Sequence, residues 1–262
     1  MSPKSFRRLE RAMPWIVILG LLIAWEITVQ ALHVRKFILP PPTDVYAALI
    51  QYHEPILLNS LFTLENTLAG FGIGVIVGLV LGLTIGSSRL IYAGLYPLLI
   101  GINSVPKAAV VPLLVIWMGI GQAPAITTAF MLCFFPIAVN VAMGLATTEP
   151  ELEDVLRSLG ASKLDILIKV GLPRSMPYFF ASLKVSITLA FVGAVISETI
   201  ASNDGVGYMM LQAASQFRTP LIFAGLFVIA AMGIITYMLF AFLENRMTGW
   251  ALRKQTIMMT GG

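Results

Sequence analysis

Leu61–Gly86 reads LFTLENTLAGFGIGVIVGLVLGLTIG. After Glu65 it carries no charge, and Gly70, Gly74, Gly78, Gly82 and Gly86 follow one another at every fourth residue. A helix needs about 20 mostly apolar residues to cross a bilayer core of about 30 Å, and this run supplies them. Glycine at each i+4 cuts a shallow groove along one helix face, into which another helix backbone can settle. The expectation is a transmembrane helix packed closely against a neighbour within the same subunit. The pattern describes packing and says nothing about activity.

Outward from that run, the same ruler marks 14–34, 91–119, 123–146, 177–201 and 221–243. With 61–86 they make six predicted spans in one domain over 1–262, an all-α polytopic membrane helical bundle. The third is the least regular, because Pro97, Pro106 and Pro112 each remove a helix donor. Composition agrees: 58% of the 262 residues are hydrophobic and 11% charged, where a soluble domain carries about 25% charged residues. A chain this apolar cannot cover its surface with polar groups, so it needs lipid. Disorder, a collagen-like repeat and a disulfide framework fall with the same numbers. The single cysteine, Cys133, sits in an apolar run and reads as a small buried hydrophobe.

A net charge of +4 raises the question of nucleic acid. Position answers it. The basic residues at Lys4–Arg11, Arg89, Arg157–Lys184 and Arg246–Lys254 all fall on one side of the predicted spans, and the other side holds Arg35, Lys36 and Arg218. This asymmetry places both termini in the cytoplasm and leaves no nucleic-acid role. The first span has a basic start but no small-x-small cleavage site, so an uncleaved anchor is expected.

Residues 147–176 differ from the rest, with nine charged side chains between Glu149 and Arg174. Thr148 suits a helix cap, with Pro150 in the first turn and Glu151 three residues on, as in a capping box. Leu152, Val155, Leu156 and Leu159 then fall on one apolar stripe. Gly160 suits the left-handed residue that ends such a helix. Ser162 and Asp165 can start a second short helix carrying Leu164, Leu167 and Ile168, which Leu172-Pro173 is expected to stop. The alternative is a helix lying on lipid headgroups, but Glu149, Glu153 and Asp154 would be repelled by anionic lipid. Presentation to a protein groove fits better.

Asp154-Val155-Leu156, three residues, Gly160, nine residues and Val170-Gly171-Leu172-Pro173 resemble the EAA signature of bacterial ABC importer permeases, with Asp-Val-Leu in place of Glu-Ala-Ala. Val105-Pro106-Lys107-Ala108, Pro112-Leu113 and Ile116–Gly121 are similar to the nitrate/sulfonate/taurine subgroup. So are Ser197-Glu198-Thr199-Ile200-Ala201, Gly205–Tyr208 and Leu39–Pro42. The resemblance covers nearly the whole chain. It implies a type I importer permease fold with a cytoplasmic coupling helix that docks on an ATPase subunit. In that reading Glu153, Asp154, Val155, Leu156, Leu159, Gly160, Ala161, Leu172 and Pro173 form the coupling segment.

The resemblance also implies a bacterial inner-membrane location, a second permease subunit (a homodimer being usual) and a periplasmic or lipid-anchored binding protein docking on the external loops at 35–60 and 202–220. The chain has no G-x-x-x-x-G-K-[ST] loop, so ATP and Mg belong to the partner ATPase and no cofactor is expected here. The subgroup suggests a small anionic solute such as nitrate, a sulfonate or taurine. Similar permeases also carry aromatic or pyrimidine-type compounds.

Charge at mid-bilayer is costly, so ionisable residues within spans normally face a cavity or a partner. Lys107, between Pro106 and Pro112, and Glu198 are the candidates for the translocation path: Lys107 to attract an anion, Glu198 to shape the gate. A structural ion pair or snorkelling is the competing account for both. Glu26 and Glu65 read as structural. Rival functions fit less well. A membrane enzyme would need more than His33 and His53, which make no H-E-x-x-H pair, and there is no G-x-S-x-G elbow. No catalytic or metal-binding residues are expected. A secondary transporter or channel leaves the acidic, amphipathic 147–176 segment without a purpose.

Overall fold

In lipid, every peptide group has to find its hydrogen-bond partner within its own segment, so the apolar runs fold as helices. The computed structural model describes residues 3–146 and 155–260, with side chains over 12–88, 90–146, 155–162 and 164–248. The expected capping box at Thr148, Pro150 and Glu151, with Leu152, Glu153 and Asp154, lies outside the described residues. In chain order the helices are α1 (Pro3–Ala31), α2 (Pro42–Gln51), α3 (His53–Gly86), α4 (Arg89–Ser104), α5 (Lys107–Met118) and α6 (Gln122–Ala146). A helical turn at 155–158, here α7, is followed by α8 (Lys163–Ile166). A π-turn (Leu167–Gly171), α9 (Leu172–Ala201), α10 (Val206–Ser215) and α11 (Thr219–Thr260) complete the chain.

Among the described residues, five helices are long and apolar enough to cross a membrane: Ala12–Ala31, His53–Gly86, Gln122–Ala146, Leu164–Ala201 and Thr219–Thr248. The predicted third span is not a continuous helix. Leu90–Ser104 and Lys107–Met118 meet at an 85° bend and make a sixth crossing only if counted together. Pro106 causes the break: its ring disfavours helical geometry at the preceding residue, and Val105 is extended at φ −69°, ψ 125°. Pro97 and Pro112 stay inside their helices.

Two further boundaries differ from the sequence expectation. Leu172-Pro173 does not stop the helix that precedes it. The π-turn shifts the bonding to i→i+5, so the Leu172 N–H reaches the Leu167 carbonyl, and the widened turn accommodates a proline that has no N–H. The stretches 35–60 and 202–220 are not plain loops, since they contain α2, the start of α3, and α10.

The chain divides into two compact units, Met1–Leu58 with Met209–Val228, and Asn59–Tyr208 with Ile229–Gly262. In the larger unit α6 is the central helix. Its Ala129, Cys133, Ile137 and Val141 share a buried cluster with Phe71 from α3 and with Phe180, Leu183, Ile187 and Ala190 from α9. The glycine stripe of α3 lies directly against α6: a Cβ at Gly78 would sit 2.8 Å from Ile137 Cβ, and one at Gly82 would sit 2.7 Å from the Ala138 carbonyl oxygen. The stripe therefore serves packing within this chain. Gly193 of α9 likewise approaches the α6 backbone at Thr128 and Ala129. Cys133 is buried and free.

In the smaller unit, Trp25 of α1 packs on Phe223 and Phe227, with ring centroids 5.5 and 6.2 Å away. The Thr219 hydroxyl donates to the Phe37 carbonyl at 2.8 Å. Helix α2 buries Val45 and Ala48. Its N-terminus is held by Glu26, whose Oε2 accepts the Thr43 N–H at 3.1 Å and whose Oε1 accepts the Thr43 hydroxyl at 3.0 Å.

Candidate functional site

The segment 155–173 is built by local rules. Gly160 has φ +83°, a left-handed conformation that costs an ordinary L-residue about 1–2 kcal/mol. With it, the Gly160 N–H donates to the Arg157 carbonyl at 2.9 Å and the Ala161 N–H to the Leu156 carbonyl at 3.0 Å. This paired arrangement is the Schellman motif, which closes a helix by satisfying its last carbonyls. Two residues on, Ser162 and Asp165 cap the next helix reciprocally. The Asp165 N–H donates to Ser162 Oγ at 3.1 Å, and the Ser162 N–H to Asp165 Oδ2 at 3.3 Å. Helix stop and helix start are thus fixed between Gly160 and Asp165.

What the segment presents is apolar. Val155 is 56% exposed, Leu159 79%, Leu164 63% and Ile168 51%, while Leu156 is half-buried. Ile166 is buried. Among the described residues, four large hydrophobes thus stand exposed within the most polar part of the chain, and exposed apolar side chains gathered in one short segment point to an interaction site. Leu172 and Pro173 lie where the π-turn passes into α9, so the chain from α8 runs into a spanning helix without a break, and only the turn at 159–162 separates it from Val155.

The second feature is the α4–α5 break. Lys107 Nζ turns back onto the end of α4, donating to the Asn103 carbonyl and, at 3.1 Å, to Asn103 Oδ1. Placing a cation on the last carbonyls of a helix complements its dipole. Pro106 is the N-cap residue of α5, and Pro112 lies within α5. Lys107 and Glu198 are not brought together: among the described residues no hydrogen bond or ion pair joins them.

Glu198, near the end of α9, is fully buried. Its Oε2 accepts the Thr63 hydroxyl at 2.8 Å and the Gly207 N–H at 3.1 Å, and its Oε1 accepts from Asn66 Nδ2 at 3.3 Å. Thr63 Oγ1 in turn accepts the Val206 N–H at 2.9 Å, and Asn59 Oδ1 accepts the Gly205 N–H at 2.8 Å. Three consecutive N–H groups at the start of α10 therefore end on three side chains. The glycines are needed for this approach. Gly205 has φ +101°, and a Cβ there would overlap the Glu198 carboxyl group, while one at Gly207 would lie 2.6 Å from the Val195 carbonyl oxygen. Sequence reasoning singles out Glu198 and the two glycines but misses Asn59, Thr63 and Asn66. Their signal is a polar stripe at i, i+4 and i+7 in an apolar helix.

Sequence reasoning misses a second group as well. Lys184, counted with the cytoplasmic basic residues, lies within α9 and pairs with Glu244 of α11 at 2.5 Å. Its Nζ also stands 6.0 Å from the Tyr237 ring centroid. Among the described residues, no three His, Cys, Asp or Glu side chains converge as a metal site would require.

A multi-pass helical membrane protein with a rigidly capped, apolar-faced segment between two of its spans is the class defined by this geometry. The family described as the inner membrane component of binding-protein-dependent transport systems matches residues 70–249. The chain belongs to that family, and is accordingly a permease subunit of an ABC importer in the inner membrane. It is 28% identical to the formylaminopyrimidine transport permease ThiX of Halalkalibacterium halodurans, over 94% of this chain and 98% of that one. It is 31% identical to the riboflavin transport system permease RibX of Chloroflexus aurantiacus, over 90% and 88%. With the taurine transport system permease TauC of Escherichia coli it shares 27%, over 88% and 86%. The fold is shared with a bacterial ABC transporter that imports the acidic polysaccharide alginate, at a TM-score of 0.59 and 12% identity, covering 93% of this chain and 99% of that one. It is also shared with the MetNI methionine transporter, at 0.54 and 20%, covering 69% and 93%.

Proposed function

We propose that this permease is driven by a separate ATPase subunit that grips residues 153–161 from the cytoplasm, with Leu172 and Pro173 carrying the movement into α9. The observation that carries this reading is the exposure of Val155 and Leu159 on a helix end fixed by Gly160 and Ala161. Glu153 and Asp154, which precede Val155 in the sequence, belong to the same gripped segment in this reading. ATP and Mg are held by that partner, and both termini of this chain are cytoplasmic, as the one-sided Lys and Arg distribution supports. A second copy of the chain completes the path. A periplasmic or lipid-anchored binding protein delivers the solute to the outer side, where α2 and α10 lie.

Pro106, Lys107 and Pro112 form part of the path, because broken helix is tolerated at membrane depth where it lines a cavity or is buried in protein. Glu198 shapes its external end. The solute in this reading is a small anion of the nitrate, sulfonate or taurine type, supported by the relation to TauC and by Lys107. A heterocyclic solute is the second reading, favoured by the relation to ThiX and RibX along nearly the whole chain. Calorimetry on the cognate binding protein with taurine, nitrate, riboflavin and a formylaminopyrimidine separates the two. Binding of taurine or nitrate alone is expected, and binding of a heterocycle alone overturns the anion reading.

A further inference from the structure

Glu198 is fully buried, and among the described residues its carboxylate accepts from the Thr63 hydroxyl, the Asn66 amide and the Gly207 N–H. A residue that attracts or screens a passing solute needs a free face. None of the exposed surface belongs to Glu198. Its donors are neutral groups aimed from α3 and from the first turn of α10, where a carboxylate complements both the unpaired N–H groups and the positive end of the helix dipole. The backbone is shaped around this contact, since only glycine fits at 205 and 207. The other end of the same helix is informative too. Leu164–Ala201 is 38 residues long, about 57 Å at 1.5 Å per residue; it includes the π-turn, and the capped 155–162 segment directly precedes α8, where it begins.

We infer that Glu198 is a positioning residue, a carboxylate clamp that fixes the N-terminus of α10 to α3 and α9 and makes α9 the strut carrying engagement at α10 to the 155–162 segment. The clamp consists of Glu198, Thr63 and Asn59 with the N–H groups of 205–207. It rests on the importer reading above and gives Glu198 its part in that reading without solute contact. When the binding protein presses on the outer side, a clamped α10 displaces α9 as a unit. An unclamped α10 absorbs the displacement.

The test uses the complete importer, purified with its ATPase and binding protein and reconstituted in lipid vesicles. Thr63→Val keeps the shape of the side chain but removes both its acceptor for Val206 and its donor for Glu198, and Thr63→Ser restores them. Three readouts are taken: hydrogen exchange of amides 205–207, ATPase rate without and with loaded binding protein, and solute KM. Thr63→Val is expected to speed exchange at 205–207 at least tenfold while α6 amides are unchanged. Its basal ATPase should stay within twofold of the parent, its stimulation by binding protein should fall at least fivefold, and its KM should hold. Thr63→Ser should resemble the parent, and Glu198→Gln should lose stimulation as Thr63→Val does.

Stimulation that persists in Thr63→Val despite fast exchange overturns the strut. So does a Glu198→Gln variant with raised KM beside a normal Thr63→Val, which returns Glu198 to the solute path. If Glu198→Gln fails to assemble, the Thr63→Val and Thr63→Ser pair decides alone. Should no ATPase co-purify with the parent, the importer reading fails and the strut with it, while the exchange data still report whether the clamp exists.

Discussion

Lys184 Nζ lies 2.5 Å from Glu244 Oε2, and the two side chains are 19% and 12% exposed. The pair ties α9 to α11, and Thr248, four residues beyond Glu244, donates its hydroxyl to the Glu244 carbonyl at 2.8 Å. Thr248 is also where α11 leaves helical geometry, at φ −120°, ψ 15°. Removing one partner of a mostly buried pair strands the other charge, at a cost of about 3–5 kcal/mol. Lys184→Met should therefore lower the melting temperature of the detergent-solubilised subunit markedly. Lys184→Met combined with Glu244→Met should recover most of the loss, because no charge is left unpaired. A double variant as unstable as the single one would show that the pair is not what holds these helices.

The α3 stripe gives a sharper contrast, because it includes its own control. Gly78→Ala places a methyl group 2.8 Å from Ile137 Cβ and 2.9 Å from the Phe134 carbonyl oxygen. Overpacking of this kind costs about 1–3 kcal/mol. Gly72 lies on the same helix with nothing within 4 Å of the corresponding position. Gly72→Ala should be neutral or slightly stabilising, since alanine is the better helix former. Thermal unfolding of the two variants side by side checks this, and equal losses would mean that the stripe does not set the α3–α6 distance.

Features that depend on residues within one or two turns are legible in the sequence: the i+4 glycine period, the left-handed Gly160 and the Ser162–Asp165 cap. The bend between α4 and α5 is legible only as irregularity. Pro97, Pro106 and Pro112 look alike in sequence, and only Pro106 breaks its helix. Leu172-Pro173 reads as a stop because a π-turn leaves no residue signature of its own. The Glu198 clamp is out of reach for a different reason. Thr63 and Glu198 are 135 residues apart, and no period or spacing rule connects polar residues across that distance.

At the α4–α5 break, the Lys107 ammonium is engaged with the end of α4, yet Lys107 is the one basic side chain in the proposed path. Lys107→Met is expected to raise KM for an anionic solute about tenfold, equivalent to about 1.4 kcal/mol, with maximal rate and assembly little changed. A neutral solute should be affected less than twofold. Uptake assays in vesicles with the cognate binding protein measure both. An unchanged KM for the anion would leave Lys107 as a helix cap and nothing more.

The coupling segment offers the most direct prediction. Gly160 at φ +83° closes the helix that bears Val155 and Leu159, so Gly160→Val should strain that closure by about 1–2 kcal/mol and reorient the exposed leucine. Because Val155, Leu159 and Gly160 are exposed, the loss should fall on association with the ATPase and not on the stability of the helical bundle. Co-purification of the ATPase should drop severalfold while the melting temperature of the isolated subunit stays close to that of the parent. A cysteine placed by Leu159→Cys, at the most exposed of these positions, should crosslink to the ATP-hydrolysing subunit in the assembled transporter. If Leu159→Cys assembles normally and its crosslinks reach only lipid or other parts of this chain, the exposed apolar face is not where the motor is held, and the coupling role proposed for 153–161 falls with it.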